Sequence, residues 1–279
     1  NCIFMKRKLF CEISPLTYRI SVEKNILQRR LRDLLARERY ACVRSAELLP
    51  AVIYTHKSLI RRRLGSVDMR FQENKAVNLS LAAPRVTGIL IKPGEVFSFW
   101  RLVGRDSRRK GYLDGLTISN GKVSAGTGGG MCQFTNLIHW LVLHSELTIT
   151  EHHHHDGFDL FPDFGRQIPF GTGTSIMYNY LDYRFRNDTD RVYQLIVYTD
   201  GEYLCGELRA DRPQCVKFHI KSHGERFVRE NGVVYRCGSV IRTAIDRRSG
   251  DIISEEIIRE NHARVMYDIE GLDVIDGEY

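Results

Sequence analysis

The sequence predicts an α+β fold, with helices early in the chain, one buried helix in the middle and antiparallel strands late. Three observations lead to this prediction. An apolar stripe of helical period occupies residues 21–42, and a long apolar run follows a glycine-rich turn at residues 132–144. From residue 176 onward, runs rich in Val, Ile, Tyr and Phe alternate with turn dipeptides. The chain has 279 residues, enough to bury a core without covalent cross-links.

Changes of composition along the chain predict three segments. Residues 1–66 are expected to form an N-terminal helical segment, residues 67–210 the main domain, and residues 211–279 a small β-rich C-terminal extension. No internal repeat and no low-complexity linker separates them. The prediction is therefore one main domain with an added segment at each end.

The first helix carries one apolar stripe, made of Ile26, Leu27, Leu31, Leu34 and Leu35. Its charged residues have both signs and do not form one basic face, which argues against a helix that lies on a membrane. We therefore expect the stripe to pack on the rest of the chain.

Turn dipeptides predict the strands that follow. Pro93-Gly94 indicates a strand–turn–strand unit that runs on through Phe99 and Trp100, and Asn120-Gly121 indicates a two-residue hairpin. Residues 176–187 and 192–209 are expected to pair across the turn "DTDR". Asn231-Gly232 and Ser249-Gly250 mark turns between short strands of the C-terminal extension.

Bulk composition excludes several classes of protein. The net charge is +7, but the basic stretches contain no nucleic-acid-binding motif, so no nucleic-acid partner is expected. The sequence contains no run of about 18 apolar residues, so no membrane span is predicted. The N-terminus lacks the apolar core of a secretory signal, and the seven scattered cysteines form no CxxC pair. We therefore expect free thiols and a cytoplasmic location.

The stretch "SAGTGGGMCQ" is the first candidate for chemistry. Gly126, Gly128, Gly129 and Gly130 permit a tight turn, and Cys132 follows where a helix is expected to begin. The free N–H groups and the dipole at a helix N-terminus favour a thiolate and can hold an oxyanion. A buried structural cysteine is the equally weighted alternative.

Four consecutive histidines, His152–His155, are the second candidate. His139 lies two helical turns beyond Cys132, too far for a hydrogen bond, so it is expected to be a packing residue. In an extended segment, His153 and His155 share one face, and one face of the tract can meet the cysteine. A metal site using His153 and His155 and a solvated tract without a role remain open alternatives.

Several segments together resemble the VanW-type family, which is associated with glycopeptide resistance. The resemblance rests on "ENKAVNLSLAA", "PGEVFSFWRLVG", "GYLDGLTISNGKVSAGTGGGMCQ", "ITEHHHHD" and "YLDYRFRNDTD", roughly residues 68–208. It covers the predicted main domain. Within the tract, His153 and His155 stand at the two family histidines, and His152 replaces an arginine.

The resemblance implies a role in vancomycin resistance and in peptidoglycan metabolism. It implies that Cys132 is the nucleophile of an L,D-transpeptidase-like acyl transfer, with His153 or His155 as the base. It also implies that Gly128, Gly129 and Gly130 form the oxyanion turn with Gln133 as a further donor. The implied partner is a peptidoglycan precursor or stem peptide, and no cofactor is expected. A non-catalytic accessory protein that binds such a precursor is the alternative from another class.

Overall fold

A computed structural model describes residues 9–62, 68–119, 122–154, 157–163, 167–178 and 180–277, and it confirms the predicted α+β class. The helices are α1 (Pro15–Leu35), α2 (Arg70–Val86), α3 (Phe99–Val103) and α4 (Met131–Leu143). The strands of the first half are β1 (Arg39–Tyr40), β2 (Ala51–Leu59), β3 (Ile89–Ile91), β4 (Glu95–Ser98), β5 (Asp114–Ser119), β6 (Lys122–Thr127) and β7 (Thr148–Glu151). Those of the second half are β8 (Phe158–Asp159), β9 (Arg184–Arg186), β10 (Tyr193–Thr199), β11 (Tyr203–Ala210), β12 (Val216–Glu230), β13 (Val233–Asp246), β14 (Ile252–Val265) and β15 (Val274–Asp276).

The strands form three larger sheets and one hairpin. Their orders are β1-β4-β9-β7, β2-β11-β10-β3 and β15-β12-β13-β14-β8, and β5 pairs with β6. The β5–β6 pairing agrees with the predicted hairpin, whose turn residues Asn120 and Gly121 lie outside the described residues. β2 belongs to the segment predicted to be helical, yet it pairs with β11, so strand pairing crosses the predicted boundary at residue 66.

Helix α4 is the centre of the core, as its apolar sequence predicts. Phe134, Leu137, Ile138 and Leu141 are at most 1% exposed. Leu137 and Leu141 pack on β11 at Gly206, where an added Cβ would lie 2.9 Å from each side chain. The glycine therefore allows the second half of α4 to approach the sheet closely.

Two predicted strands have a different structure. Phe99 and Trp100 begin α3, because Ser98 Oγ accepts from the Arg101 N–H at 3.3 Å and caps the helix. The turn "DTDR" is present, but it joins strands of two different sheets. The side chain of Asn187 holds this turn by donating to Ile91 O and Arg191 O. The antiparallel pair is β10 and β11, joined by residues 200–202.

The expectation for the first helix is wrong in one respect. α1 begins at Pro15, capped by Ser14, and its leucines Leu27, Leu31, Leu34 and Leu35 are 50–77% exposed. Ile26 is the one buried residue of α1. Charged side chains instead attach α1 to the domain, through the other side of the helix. None of the helices in the described ranges is long and apolar enough to cross a membrane.

The C-terminal segment is a sheet of long strands, with turns where the sequence predicts them. β12, β13 and β14 have 15, 14 and 14 residues, longer than the short runs expected. Arg242 of β13 attaches this sheet to the end of α4, because it donates to Leu143 O at 2.9 Å and to Ser145 O at 2.6 Å. Its guanidinium also lies 3.9 Å from the ring of Phe218. The sheet and the main domain thereby enclose a cleft.

Candidate functional site

The cleft has a volume of about 620 Å³ and lies between α4, β7 and the sheet of β12–β14. Its walls from the main domain include Val142, Leu147 and the histidines that follow β7. Phe218 and Ile257 contribute the opposite apolar wall. This volume is within the range of sites that bind small molecules.

Three imidazoles lie in a row at one end of the cleft, with neighbouring rings tilted by 34° and 57°, and we call this group the histidine stack. His139 of α4 lies 4.1 Å from His152 between ring centroids, and His152 lies 4.0 Å from His154. The phenol of Tyr183 is within 3.0 Å of His139 Nδ1. His139, predicted to be a packing residue, is buried and also anchors this stack.

Hydrogen bonds and burial indicate the protonation states of His152 and His139. His152 Nε2 is 3.1 Å from Gly173 O, and because a carbonyl can only accept, this nitrogen carries a proton. Burial lowers the pKa of His139 well below its usual value, and the neighbouring imidazoles and Arg242 lower it further. His139 is therefore neutral at physiological pH, and burial also keeps Tyr183 protonated by raising its pKa.

His153 faces a different group, as the alternation in an extended segment predicts. Its Nε2 lies 2.9 Å from Glu151 Oε1. Glu151 also accepts from the backbone N–H of Asp182 at 2.9 Å and pairs with Arg29 of α1. The structure thus places His152 against His139 of α4 and His154 against His152, while His153 faces Glu151. His155 lies outside the described residues, so its pairing with Cys132 stays a prediction.

The network around Glu151 joins α1 to the domain. Arg184 stands opposite Glu151 in the β7–β9 pairing and is 7% exposed. It donates to Asp182 at 2.8 Å and to both carboxylate oxygens of Asp33 at 2.8 and 2.7 Å. Arg29 pairs with Asp33 and with Glu151. Charge compensation, together with the buried Ile26, therefore holds α1 beside the histidine tract.

Cys132 is the second residue of α4 and is half-buried. Burial raises the pKa of its thiol, although N–H groups of Ile176 and of Cys132 itself donate to the sulfur and oppose this shift. Cys132, Asn136 and His139 follow one face of α4, which places His139 about 10 Å along the axis from Cys132. The predicted position of Cys132 at a helix N-terminus is thus observed, while its pKa shift is opposite to that of an activated thiol.

The glycine turn is packed by backbone and by two ionisable side chains. Gly129 lies against Gly115, and an added Cβ would be 2.2 Å from the Gly115 carbonyl carbon. Asn78 holds the turn by donating to Gly129 O at 2.9 Å. Gly128 faces the carboxylate of Asp106, and Gly130 faces the stem of Lys75. Because φ is +77° at Gly128 and +100° at Gly130, the conformation also favours glycine.

Lys75 and Asp106 are perturbed groups that the sequence analysis missed. Burial lowers the pKa of Lys75 to about 7, assisted by the charges of Arg62 and Arg61. Burial raises the pKa of Asp106 to about 6. Shifts of this kind are typical of functional sites. A lysine in α2 and an aspartate near a basic loop gave no sequence signal, because only the packing around the glycines perturbs them.

Gln133 is engaged with β2. Its Nε2 donates to Ser58 Oγ at 2.9 Å and to Leu59 O at 2.8 Å. Gln133 therefore attaches the first turn of α4 to β2, the edge strand of its sheet. Its role as a donor to a reaction intermediate stays a prediction.

A second polar group on α4 was also missed by the sequence analysis. Asn136 Oδ1 accepts from the Thr174 N–H at 2.6 Å and from Thr174 Oγ1 at 2.8 Å. The hydroxyls of Thr135 and Thr174 are also in hydrogen-bond contact. The segment around Thr174 therefore covers the α4 face between Cys132 and His139. The spacing Cys132, Asn136, His139 was the available signal for this shared face.

His144, at the C-terminal end of α4, makes stability dependent on pH. Burial lowers its pKa to about 4. The unfolded chain, with a His pKa near 6.5, binds a proton that the folded chain does not, so stability falls as pH decreases from about 6.5 towards 4.

We expect His144→Gln to remove this part of the acid sensitivity. The wild-type free energy of unfolding should fall by about 1.5 kcal/mol more than that of the variant between pH 6.5 and pH 5. Urea denaturation at both pH values measures the difference. Equal losses in the two proteins would contradict the assignment to His144.

A family model and two known proteins match this chain. A sequence model of the family described as "VanW like protein" matches residues 74–209. The vancomycin B-type resistance protein VanW of Enterococcus faecalis (strain ATCC 700802 / V583) is 36% identical over 236 residues, which cover 84% of this chain and 86% of that protein. The chain belongs to the VanW family. This confirms the family resemblance, and the matched VanW segment contains the glycine turn, Cys132 and the histidine tract.

A second match covers less of the chain. The uncharacterized protein YoaR of Bacillus subtilis (strain 168) is 30% identical over 118 residues, which are 41% of this chain and 36% of that protein. No solved structure matches the chain.

Proposed function

We propose that the chain contributes to glycopeptide resistance by binding a peptidoglycan precursor or stem peptide in the cleft between α4 and the C-terminal sheet. The cleft of about 620 Å³ is the observation that carries the proposal. A space of this size accommodates several residues of an extended peptide and is within the usual range for ligand sites. The proposed function requires binding and no covalent step.

The chemistry of the walls supports a peptide that carries both signs of charge. Arg242 and Arg259 line the cleft together with Glu146 and Glu256. A stem peptide carries amine and carboxylate groups as well as alanyl methyl groups, which suit the apolar walls. The neutral imidazole of His139 lies at the end of the cleft, where the stack can offer hydrogen bonds without a full charge.

A bulky side chain at the mouth of the cleft tests the proposal. Ser254 of β14 is exposed and lines the cleft, so Ser254→Trp is expected to weaken binding of a synthetic stem peptide at least tenfold by calorimetry. Ile252, two residues away on the same strand, is 65% exposed and lies outside the lining residues. Ile252→Trp is the matched control and should leave affinity unchanged. Equal affinities for both variants, or no binding to wild type, would overturn the proposal.

Acyl transfer by Cys132 is the second candidate function. Its support is the location of the sulfur at the second residue of α4, beside the glycine turn, in a half-buried position. In this reaction the thiolate would attack a peptide carbonyl and release the leaving amine, and a second amine would then resolve the thioester. The raised pKa of the thiol weighs against this function, because it reduces the thiolate fraction at neutral pH.

The reactivity of Cys132 as a function of pH separates the two functions. If the chain only binds, iodoacetamide should modify Cys132 with a midpoint above the ordinary thiol value near 8.5, and His153→Ala should not change it. Cys132→Ala should keep full affinity for the stem peptide. A depressed midpoint that rises in His153→Ala would instead establish a cysteine–histidine pair and favour the transferase.

A further inference from the structure

We infer that Glu230, Cys237 and His262 form a binding site for a zinc-class divalent cation on the C-terminal sheet. One ligand atom from each residue lies within 4.8 Å of the other two. Within the described ranges, this is the one group of three such residues that converges this closely. The site is separate from the histidine tract and is independent of the proposed function.

Strand register pairs two of the three ligands, and the side chain of Glu230 reaches the third position from near the β12–β13 turn, where it stands opposite Val233. Cys237 of β13 stands directly opposite His262 of β14. Arg226 of β12 stands opposite Cys237, so Glu230, four residues further along β12, has the same facing direction. Three ligands of different chemistry thus reach one face from three strands, and His262 comes from a position 25 residues beyond Cys237.

The donor set fits zinc. Thiolate sulfur, imidazole nitrogen and carboxylate oxygen are the three ligand types that Zn²⁺ takes in proteins, with bonds of about 2.0–2.3 Å. In a tetrahedral site, such bonds place ligand atoms about 3.5 Å apart. The atoms of this group need to move by only about 1 Å to reach that geometry, which side-chain rotation can supply.

The histidine is already oriented for ligation. Its Nε2 lies 2.9 Å from Glu230 Oε2 and 3.1 Å from Oε1, so the nitrogen points at the shared carboxylate. Tyr235 stacks on the imidazole at 4.4 Å and 19° and restricts its rotation. The side chain of His262 is 55% exposed, which leaves room for water to complete a fourth position.

Bound metal would connect β12, β13 and β14 close to the β12–β13 turn. Cys237 must lose its thiol proton to solvent, and His262 Nε2 must lose the proton that the Glu230 carboxylate accepts, either to solvent or to Nδ1; the ion then replaces the His262–Glu230 hydrogen bond with stronger contacts. The expected consequence is that metal raises the thermal stability of the chain.

Cobalt substitution tests the site. The full chain, prepared without a polyhistidine tag and stripped with a chelator, is titrated with Co²⁺ and followed in the near ultraviolet. We expect a sulfur-to-cobalt charge-transfer band, and Zn²⁺ should displace the cobalt and raise the melting temperature. Cys237→Ser should abolish the band, and His262→Gln should weaken binding at least about 100-fold.

Two controls make the assignment specific. Cys215→Ser removes an exposed thiol elsewhere and should leave the band unchanged. A variant with His152→Ala and His154→Ala should also keep the band, because the sulfur signal comes from the C-terminal sheet. Absence of the band in wild type, or its persistence in Cys237→Ser, would overturn the inference.

Discussion

Replacing Arg184 with methionine is expected to lower the free energy of unfolding by about 3–5 kcal/mol, because it leaves buried carboxylates without their counter-charge. Asp182 has no exposed surface, and its Oδ2 accepts from Arg184 at 2.8 Å. Asp33, which accepts two hydrogen bonds from the same guanidinium, loses the contact that holds α1. Chemical denaturation monitored by tryptophan fluorescence measures this loss.

Arg186→Met is the matched control on the same strand. Arg186 pairs with Asp188, but its side chain is 45% exposed, so water replaces the ion pair and the expected cost is below about 1 kcal/mol. If both variants lost the same stability, the buried network would have no special contribution. Limited proteolysis adds a second readout, since cleavage within α1 should accelerate in Arg184→Met alone.

Substituting Gly129 with alanine is expected to cost about 3 kcal/mol or more, because the added Cβ meets backbone that cannot rotate away. The nearest atoms belong to Gly115, at 2.2–2.5 Å from the Cβ position. Relief would require β5 to separate from the turn before α4. The first turn of the helix, including Cys132, would then move.

Gly94→Ala separates this packing effect from backbone strain. Gly94 has φ of +75° and nothing within 4 Å of an added Cβ, so it should cost only about 1–2 kcal/mol for the left-handed conformation. Both costs are measured as differences in the free energy of unfolding. A Gly129→Ala protein as stable as the Gly94→Ala protein would show that the turn can relax.

Local sequence patterns predicted the elements whose structure depends mainly on neighbouring residues. α4 is apolar on nearly every side and follows a turn that only glycine allows, so its position was predictable from residues 128–143. The turns of the C-terminal sheet were predictable for the same reason, since Asn231 adopts φ of +49° and Gly232 φ of +77°. Each of these signals is contained within a few neighbouring residues.

Features that depend on long-range contact were not predictable in this way. The leucine stripe of α1 has the period of a packed helix, but ion pairs with Arg184 and Glu151 attach the opposite side. The histidine tract alternates as expected, while the choice of which imidazole meets α4 depends on Gly173 and Glu151. The convergence of Cys237 with His262 depends on strand register, which sequence spacing does not reveal.

The position of β2 has a practical consequence for work on the isolated family segment. β2 occupies one border of the β2-β11-β10-β3 sheet and lies entirely upstream of residues 74–209. A fragment cut to that segment would leave the N–H and C=O groups along β11 without partners, and a bare strand of this kind recruits other chains. Such a fragment should self-associate on purification, whereas one that begins before Ala51 should remain monodisperse.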